Sequence, residues 1–160
     1  MKQRTESEIF HLAAAYCSTA ERCVQDVRRR IASLGASSEI AERIIAYLLE
    51  EKFIDELRFC RSFVNDKFKL NRWGRIKTGY ELRQKGIDAA IISEAISHIS
   101  EETYESVLYA LLKDKKQTTK GQTEQDVCTK LYRFAIQRGY ESSLILQQLK
   151  ILFHNGIDIE

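Results

Sequence analysis

Apolar residues recur along this 160-residue chain at the three- and four-residue spacing of amphipathic helices. Phe59, Phe63 and Phe68 follow this spacing, and we interpret them as the core face of a helix rather than as a base-stacking surface. Proline is absent and glycine occurs only seven times, so the chain lacks the turn residues that an all-β protein needs. The pattern therefore predicts an all-α fold.

The helical pattern repeats around Gly35, Gly86 and Gly139, which follow one another at roughly fifty-residue intervals. Apolar residues lie four positions before each glycine and one, five and ten positions after it. They are Ile31, Ala36, Ile40 and Ile45 in the first case, Leu82, Ile87, Ile91 and Ile96 in the second, and Ala135, Tyr140, Leu144 and Leu149 in the third. Such agreement in register indicates an internal repeat.

Each of these glycines is predicted to end a helix. In a Schellman motif, glycine takes the left-handed conformation just after the helix, and the residue that follows packs back against the last turn. A polar residue then caps the next helix, and the candidates are Ser37 or Ser38, Asp88, and Glu141 or Ser142. The same helix-stop pattern recurs near the end of the chain in Leu152, Gly156, Ile157 and Asp158.

A further helix is predicted before each helix pair, at residues of about 6–18, 56–70 and 103–114. The chain thus predicts three tandem three-helix repeats that form an elongated, curved helical array. We place the repeats at residues 1–55, 56–102 and 103–160.

Two helix starts carry specific capping signals. Thr5 and Glu8 have the spacing of a capping box, which favours an ordinary first helix over a signal peptide. Asp55 is the predicted N-cap of the fourth helix, where Ile54 and Phe59 have the spacing of a hydrophobic staple.

No segment approaches the ~20 apolar residues of a membrane span. We expect a cytosolic protein.

Residues that carry chemistry are scattered along the chain. The four cysteines, Cys17, Cys23, Cys60 and Cys128, form no C-x-x-C pair and have no histidine at metal-ligand spacing. We interpret them as buried small hydrophobic residues. Phosphate-binding glycine loops and hydrolase motifs are also absent from the sequence. We therefore expect no enzyme activity, no metal, no cofactor and no small-molecule substrate.

The net charge of +2 conceals a basic middle segment. Residues 58–86 contain nine basic and two acidic residues, whereas the rest of the chain is acidic overall. A one-signed excess favours an anionic or acidic partner over a merely solvated helix face, on which the two signs usually alternate. The basic residues are Arg58, Arg61, Lys67, Lys69, Arg72, Arg75, Lys77, Arg83 and Lys85.

Trp73 lies in the link "NRWGRI", residues 71–76, between two helices of the basic segment. An indole at this position fits two roles, because it can anchor a partner or fill the corner between the helices. Gly74 fits the start of the second helix. We keep Trp73 among the candidate contact residues.

The middle segment resembles the central block of the RecX family, bacterial regulators of the RecA recombinase. The likeness runs through "FIDELRFCRSFVNDK", "RWGRIKTGYELRQKGID" and "IISEAI". The matching residues are Phe53, Ile54, Asp55, Glu56, Arg58, Phe59, Cys60, Trp73, Gly74, Ile76, Leu82, Lys85, Gly86 and Ile87. The first and third repeats match the family in register and length, and more weakly in residues.

The resemblance implies a non-enzymatic helical protein that binds in the groove of the RecA–DNA filament and inhibits or modulates RecA ATPase, recombinase and co-protease activities. The implied partners are the RecA filament and single-stranded DNA, with double-stranded DNA as a further candidate and no membrane. It places the contacts on Trp73 and the basic residues of 58–85, with Arg58 partly structural. The charge pattern alone also fits a general helical DNA-binding module or an adaptor for an acidic protein.

Overall fold

The computed structural model describes residues 3–157, with side chains described for residues 3–154. Between residues 3 and 157 the chain forms nine α-helices and no strand, which confirms the all-α prediction and fits tandem three-helix repeats. The helices are α1 (Glu6–Thr19), α2 (Val24–Ser33), α3 (Ser38–Glu50), α4 (Glu56–Leu70), α5 (Arg75–Gln84), α6 (Ala89–Ile96), α7 (Glu101–Lys116), α8 (Glu124–Gln137) and α9 (Ser142–Ile157).

The chain divides into two compact units. The first unit comprises Met1–Phe63 with Leu82–Ala95, and the second comprises Val64–Glu81 with Ile96–Glu160. Each unit takes in part of the predicted middle repeat, so the repeat boundaries stay a prediction. No helix in the described range is long and apolar enough to cross a membrane.

Each unit has its own hydrophobic core. In the first unit, apolar residues of α1, α2 and α3 form one cluster, in which Ala13, Val27 and Leu48 are fully buried. In the second unit, α7, α8 and α9 form another cluster, with Leu108 and Leu131 fully buried. Complete burial of a leucine or valine side chain contributes about 1.5–3 kcal/mol, so these two clusters stabilise the units.

The aromatic stripe of α4 packs as predicted. In the first unit the rings of Phe59 and Phe63 stack with 6.1 Å between their centroids. In the second unit Phe68 stacks on Tyr104 with a centroid distance of 5.9 Å. Phe59 and Phe68 are buried and Phe63 is half-buried, so the stripe is packing surface.

The predicted caps begin four helices. The Thr5 hydroxyl accepts from the Glu8 N–H, and the Glu8 carboxylate accepts from the Thr5 N–H, which completes the capping box of α1. Ser37 accepts from the Ile40 N–H at the start of α3. Asp55 and Asp88 accept from backbone N–H groups in the first turns of α4 and α6. Each carboxylate or hydroxyl satisfies a donor that has no partner within its helix.

The three repeated glycines end α2, α5 and α8 in the left-handed conformation, with φ of 93° at Gly35, 78° at Gly86 and 95° at Gly139. At Gly35 and Gly139 the N–H of the following residue also donates back to the helix, over 3.5 Å to Ile31 and 3.2 Å to Ala135. These bonds define the predicted Schellman motif. The fourth predicted helix stop, at Gly156, is wrong, because α9 continues through Gly156 to Ile157. Asp158 lies outside the described residues.

Gly139 has a second role in the second unit, since the start of α5 lies directly against it. The Gly74 N–H donates to the Arg138 carbonyl over 2.7 Å, and the Ile76 N–H donates to the Gly139 carbonyl over 2.9 Å. A Cβ on Gly74 would lie 2.3 Å from the Gly139 oxygen, and a Cβ on Gly139 would lie 2.3 Å from the Lys77 Cβ. Both positions therefore require glycine for close backbone approach, which the sequence had indicated only as a helix start at Gly74.

A polar network fixes the same end of α5. The Arg75 guanidinium lies 3.8 Å from the centre of the Tyr104 ring and forms ion pairs with Glu101 and Glu141. The Tyr104 hydroxyl accepts from the Arg75 N–H over 2.9 Å and donates to the Glu141 carboxylate over 2.6 Å. Burial and the hydrogen bond to Glu141 raise the pKa of Tyr104, so its hydroxyl remains a donor. Arg75 is therefore a structural residue of the second unit.

The cysteines differ in exposure. Cys23 and Cys60 are fully buried, and Cys17 and Cys128 are half-buried; all four are free thiols. Burial raises the pKa of the Cys60 thiol to about 12, which makes the reactive thiolate rare at neutral pH. The predicted burial is confirmed for Cys23 and Cys60 and only in part for the other two.

Alanine substitutions at the glycines should separate the free-energy cost of the left-handed conformation from the cost of a steric collision at the close backbone approach. Gly86→Ala places a methyl group in open space and should cost about 1–2 kcal/mol for the left-handed conformation alone. Gly139→Ala adds the collision with Lys77, and we expect a clearly larger loss in the free energy of unfolding, measured by urea denaturation. Gly74→Ala isolates the collision, since Gly74 has no positive φ. Equal losses at Gly86 and Gly139 would contradict the packing at this joint.

The cap at Asp55 should make stability depend on pH. Its hydrogen bond from the Arg58 N–H lowers the pKa of the Asp55 carboxyl below that of the unfolded chain, about 4. The stabilisation is therefore complete above pH 4 and is lost as the pH falls through the lower native pKa. Asp55→Ala should cost about 1 kcal/mol at pH 7 and less at pH 3, in urea unfolding at both values. Asp55→Asn, a neutral cap, serves as the control; a penalty for alanine that is equal at both pH values would count against this assignment.

Removing the Arg75 network should destabilise the second unit. Arg75→Ala leaves Glu141 and the Tyr104 ring without their cation, and we expect a loss of about 2 kcal/mol in thermal or urea unfolding. Lys69→Ala, an exposed cation of the same basic segment, should change stability by less than about 0.5 kcal/mol. Similar effects for the two variants would show that Arg75 behaves as a surface charge.

Candidate functional site

The ten predicted contact residues are divided between the two compact units. The first unit contains Arg58, Arg61, Arg83 and Lys85, and the second contains Lys67, Lys69, Arg72, Trp73, Arg75 and Lys77. Intramolecular contacts decide how much of each side chain is available to a partner.

Arg58 is held by its own unit. Its guanidinium pairs with Glu21 over 2.7 Å and donates to the Lys52 carbonyl over 3.1 Å, while Asp55 lies 4.0 Å away. These contacts connect the first turn of α4 to the segment before it and to Glu21. The sequence identified the Asp55 pair but not the more direct one with Glu21, because 37 residues separate the two positions. We assign Arg58 a mainly structural role.

The other three cations of the first unit are less constrained. Arg61 lies 3.7 Å from Glu94, and Lys85 lies 3.8 Å from Asp26, so both ion pairs are long. Arg83 is exposed and forms no ion pair with any residue whose side chain the structure describes. The Arg61–Glu94 pair is exposed, so it contributes little to stability and an external anion can replace Glu94 at low cost. The Lys85–Asp26 pair is half-buried.

Trp73 organises the cations of the second unit. The chain reverses between α4 and α5 through Arg72, whose φ of 55° is left-handed, and the Trp73 N–H donates to the Lys67 carbonyl over 3.0 Å. The half-buried indole then lies between two helices that each supply a lysine. The Lys67 and Lys77 ammonium groups lie 4.8 and 4.6 Å from the ring centre. Cation–π attraction thereby gathers two positive charges at one corner.

The third predicted repeat adds two cations near Trp73 that were not among the predicted contact residues. Arg138 donates to the Asn71 carbonyl over 3.1 Å, and its guanidinium lies 4.7 Å from the Phe134 ring centre. Lys115 lies 4.9 Å from the same ring. The run of lysines at the end of α7 was visible in the sequence, but its proximity to the turn that holds Trp73 depends on tertiary structure.

Arg72 and Lys69 complete the group around Trp73. Arg72 pairs with Asp114 of α7 over 2.9 Å and remains more than one-third exposed. Its carbonyl accepts from the Tyr140 hydroxyl over 3.0 Å, which holds the turn in place. Lys69 is exposed on α4 and forms no ion pair with any residue of described side chain. We call Lys67, Lys69, Arg72, Trp73 and Lys77 the Trp73 corner.

Among the residues that the structure describes, no group of three or more His, Cys, Asp or Glu side chains could hold a metal ion. The side chains of the Trp73 corner are suited to binding anions, since lysine and arginine donate hydrogen bonds to phosphates and carboxylates.

Comparison with known proteins agrees with the resemblance of the middle segment. A family model described as "RecX, second three-helix domain" matches residues 55–96. Regulatory protein RecX of Prosthecochloris aestuarii is 32% identical over 155 residues, which cover 97% of this chain and 100% of that protein. Regulatory protein RecX of Clostridium botulinum strain Eklund 17B is 33% identical over 149 residues, which cover 89% of this chain and 68% of that protein.

Two solved structures share the fold. The crystal structure of RecX from Lactobacillus salivarius aligns with a TM-score of 0.84 at 18% identity, over 92% of this chain and 96% of that one. A second crystal structure of regulatory protein RecX aligns with a TM-score of 0.77 at 21% identity, over 87% of this chain and 70% of that one. The 32% identity to the Prosthecochloris protein, over 97% of this chain and all of that protein, shows that the chain belongs to the RecX family of regulatory proteins.

Proposed function

We propose that the protein binds the RecA–DNA filament and inhibits the ATPase, recombinase and co-protease activities of RecA. The observation that carries this proposal is the match of the second RecX domain to residues 55–96, because the same segment contains all nine cations of the basic middle segment. The relatives are named regulatory proteins, which supports regulation rather than catalysis.

The structure narrows the set of residues proposed to contact the filament. Arg58 and Arg75 are engaged within the protein, and their removal should act through stability. The Trp73 corner, together with Arg61, Arg83 and Lys85, remains as the proposed contact set. The Arg72–Asp114 pair belongs in this set because it is solvent-exposed and can exchange Asp114 for an external anion.

A general DNA-binding module is the second candidate function. It is favoured by Lys115 and Arg138, which add positive charge beside the turn that holds Trp73. Binding of this kind releases counterions from DNA, so the affinity for naked DNA would fall steeply as the salt concentration rises. An adaptor for an acidic protein, in contrast, would not bind naked DNA.

An ATPase assay with RecA on single-stranded DNA tests the leading proposal. The unaltered protein should suppress ATP hydrolysis at substoichiometric or near-equal amounts to RecA. The double variant Lys69→Gln/Lys77→Gln should require at least several-fold more protein for half-maximal suppression, because it removes two cations of the Trp73 corner.

Lys130→Gln is the matched control, since Lys130 is exposed in the same unit but lies two turns of α8 away from Arg138. Circular dichroism should show unchanged helicity for all variants. Absence of suppression by the unaltered protein, together with strong salt-sensitive binding to naked DNA, would reject the leading proposal in favour of the DNA-binding module.

A further inference from the structure

Three of the most exposed large hydrophobic side chains lie at the Trp73 corner or within two turns of it. Leu70 at the end of α4 is 80% exposed, and Ile76 and Tyr80 on α5 are 55% and 52% exposed. All three belong to the second unit. Single exposed apolar residues are ordinary, but a concentration of them within eleven residues of chain is typical of an interaction surface.

The docking of α5 explains why these residues face outward. Thr78 is buried on the inner side of the helix, where its hydroxyl donates to the Gly74 carbonyl over 2.9 Å, and Gly79 beside it is also buried. Ile76 and Tyr80 are one turn apart, so they lie next to each other on the opposite, solvent-facing side. The protein's own packing has therefore used one side of α5 and left an apolar pair on the other.

Positive charge borders this apolar pair. Lys77 follows Ile76 directly, and Arg72 and Lys69 lie in the turn and the helix end that precede α5. Asp66 and Glu81 are the two acidic residues between positions 64 and 81, and they are outnumbered by basic ones. An apolar centre that contains tyrosine, with arginine and lysine around it, is complementary to a protein surface with an apolar pocket and carboxylates at its rim.

A nucleic acid would make poorer use of these side chains. Phosphate oxygens accept hydrogen bonds from lysine and arginine, but they make no favourable contact with an isoleucine or a leucine. Tyr80 alone could stack on a base, but its neighbour Ile76 and the terminal Leu70 could not. The chemistry of the exposed residues therefore favours a folded protein as the occupant.

We propose that Ile76 and Tyr80 form the apolar centre of a protein-docking surface, to which Leu70 at the end of α4 adds, and whose partner presents an apolar pocket bordered by acidic side chains. This inference rests on the proposed function and deepens it. In the regulated filament, it assigns these three residues to contact with the RecA protein and not with DNA.

The test uses the full chain with glutamine at two exposed positions, since glutamine removes the apolar surface and keeps helix propensity. We expect Ile76→Gln/Tyr80→Gln to raise the concentration for half-maximal suppression of RecA ATPase by about tenfold or more, as the loss of central interface residues does. Its affinity for naked single-stranded DNA, measured by fluorescence anisotropy without RecA, should stay within about twofold of the unaltered protein, because the cations remain.

Leu146→Gln is the matched control, because Leu146 of α9 is 56% exposed in the same unit. This substitution should leave both the ATPase suppression and the DNA affinity unchanged. Leu70→Gln provides a second variant, which should fold normally because the Leu70 side chain is 80% exposed at a helix end. Thermal unfolding checks that each variant is folded. If Leu70→Gln suppresses RecA ATPase less than the unaltered protein does and binds naked DNA with unchanged affinity, the proposal is supported even where the double variant is unstable.

Two results would overturn the inference while leaving the regulatory function intact. One is that the folded double variant and Leu70→Gln both suppress RecA ATPase half-maximally at the same concentration as the unaltered protein. The other is an equal loss of affinity for RecA filaments and for naked DNA, which would make this a nucleic-acid surface. Failure of the unaltered protein to suppress ATPase would instead reject the proposed function, and this inference with it.

Discussion

The second unit depends on the close approach of two backbone segments at Gly74 and Gly139. Gly139 ends α8 in the left-handed conformation, and its carbonyl then accepts the Ile76 N–H from the first turn of α5. No side chain fits at either glycine, so the two segments can approach only as bare backbone. This contact sets where α5 begins, and with it the positions of Trp73, Arg75 and the exposed pair Ile76 and Tyr80.

The same joint divides the basic residues into two classes. Arg75 is enclosed by Tyr104, Glu101 and Glu141, so its charge is used within the protein. Lys77, two positions later, lies over the Trp73 ring and retains its charge near the surface. Net charge along the segment therefore overstates the charge that is available to a partner, since a guanidinium with two carboxylate neighbours attracts an external anion weakly.

Sequence periodicity predicted much of this architecture because the information is local. The left-handed stops at Gly35, Gly86 and Gly139 and the cap at Asp55 depend on residues within one turn of each other, and all four occur as predicted. At Gly156 the same pattern failed, since α9 continues to Ile157. Contacts between distant segments were not predictable, such as Arg58 with Glu21, because no periodic pattern encodes which helices meet.

The sequence by itself determined the helical class, the helix ends at Gly35, Gly86 and Gly139, the family resemblance and the location of the positive charge, because these follow from residue type and short-range spacing. Tertiary structure alone decided which cations are engaged internally, that Lys115 and Arg138 flank Phe134 next to the Trp73 turn, and that Ile76 and Tyr80 are exposed. The physical reason is that burial and ion pairing depend on which surfaces meet, and α5 has apolar residues on more than one side. The docking of Gly74 against Gly139, together with the Arg75 network, selects the side that faces solvent.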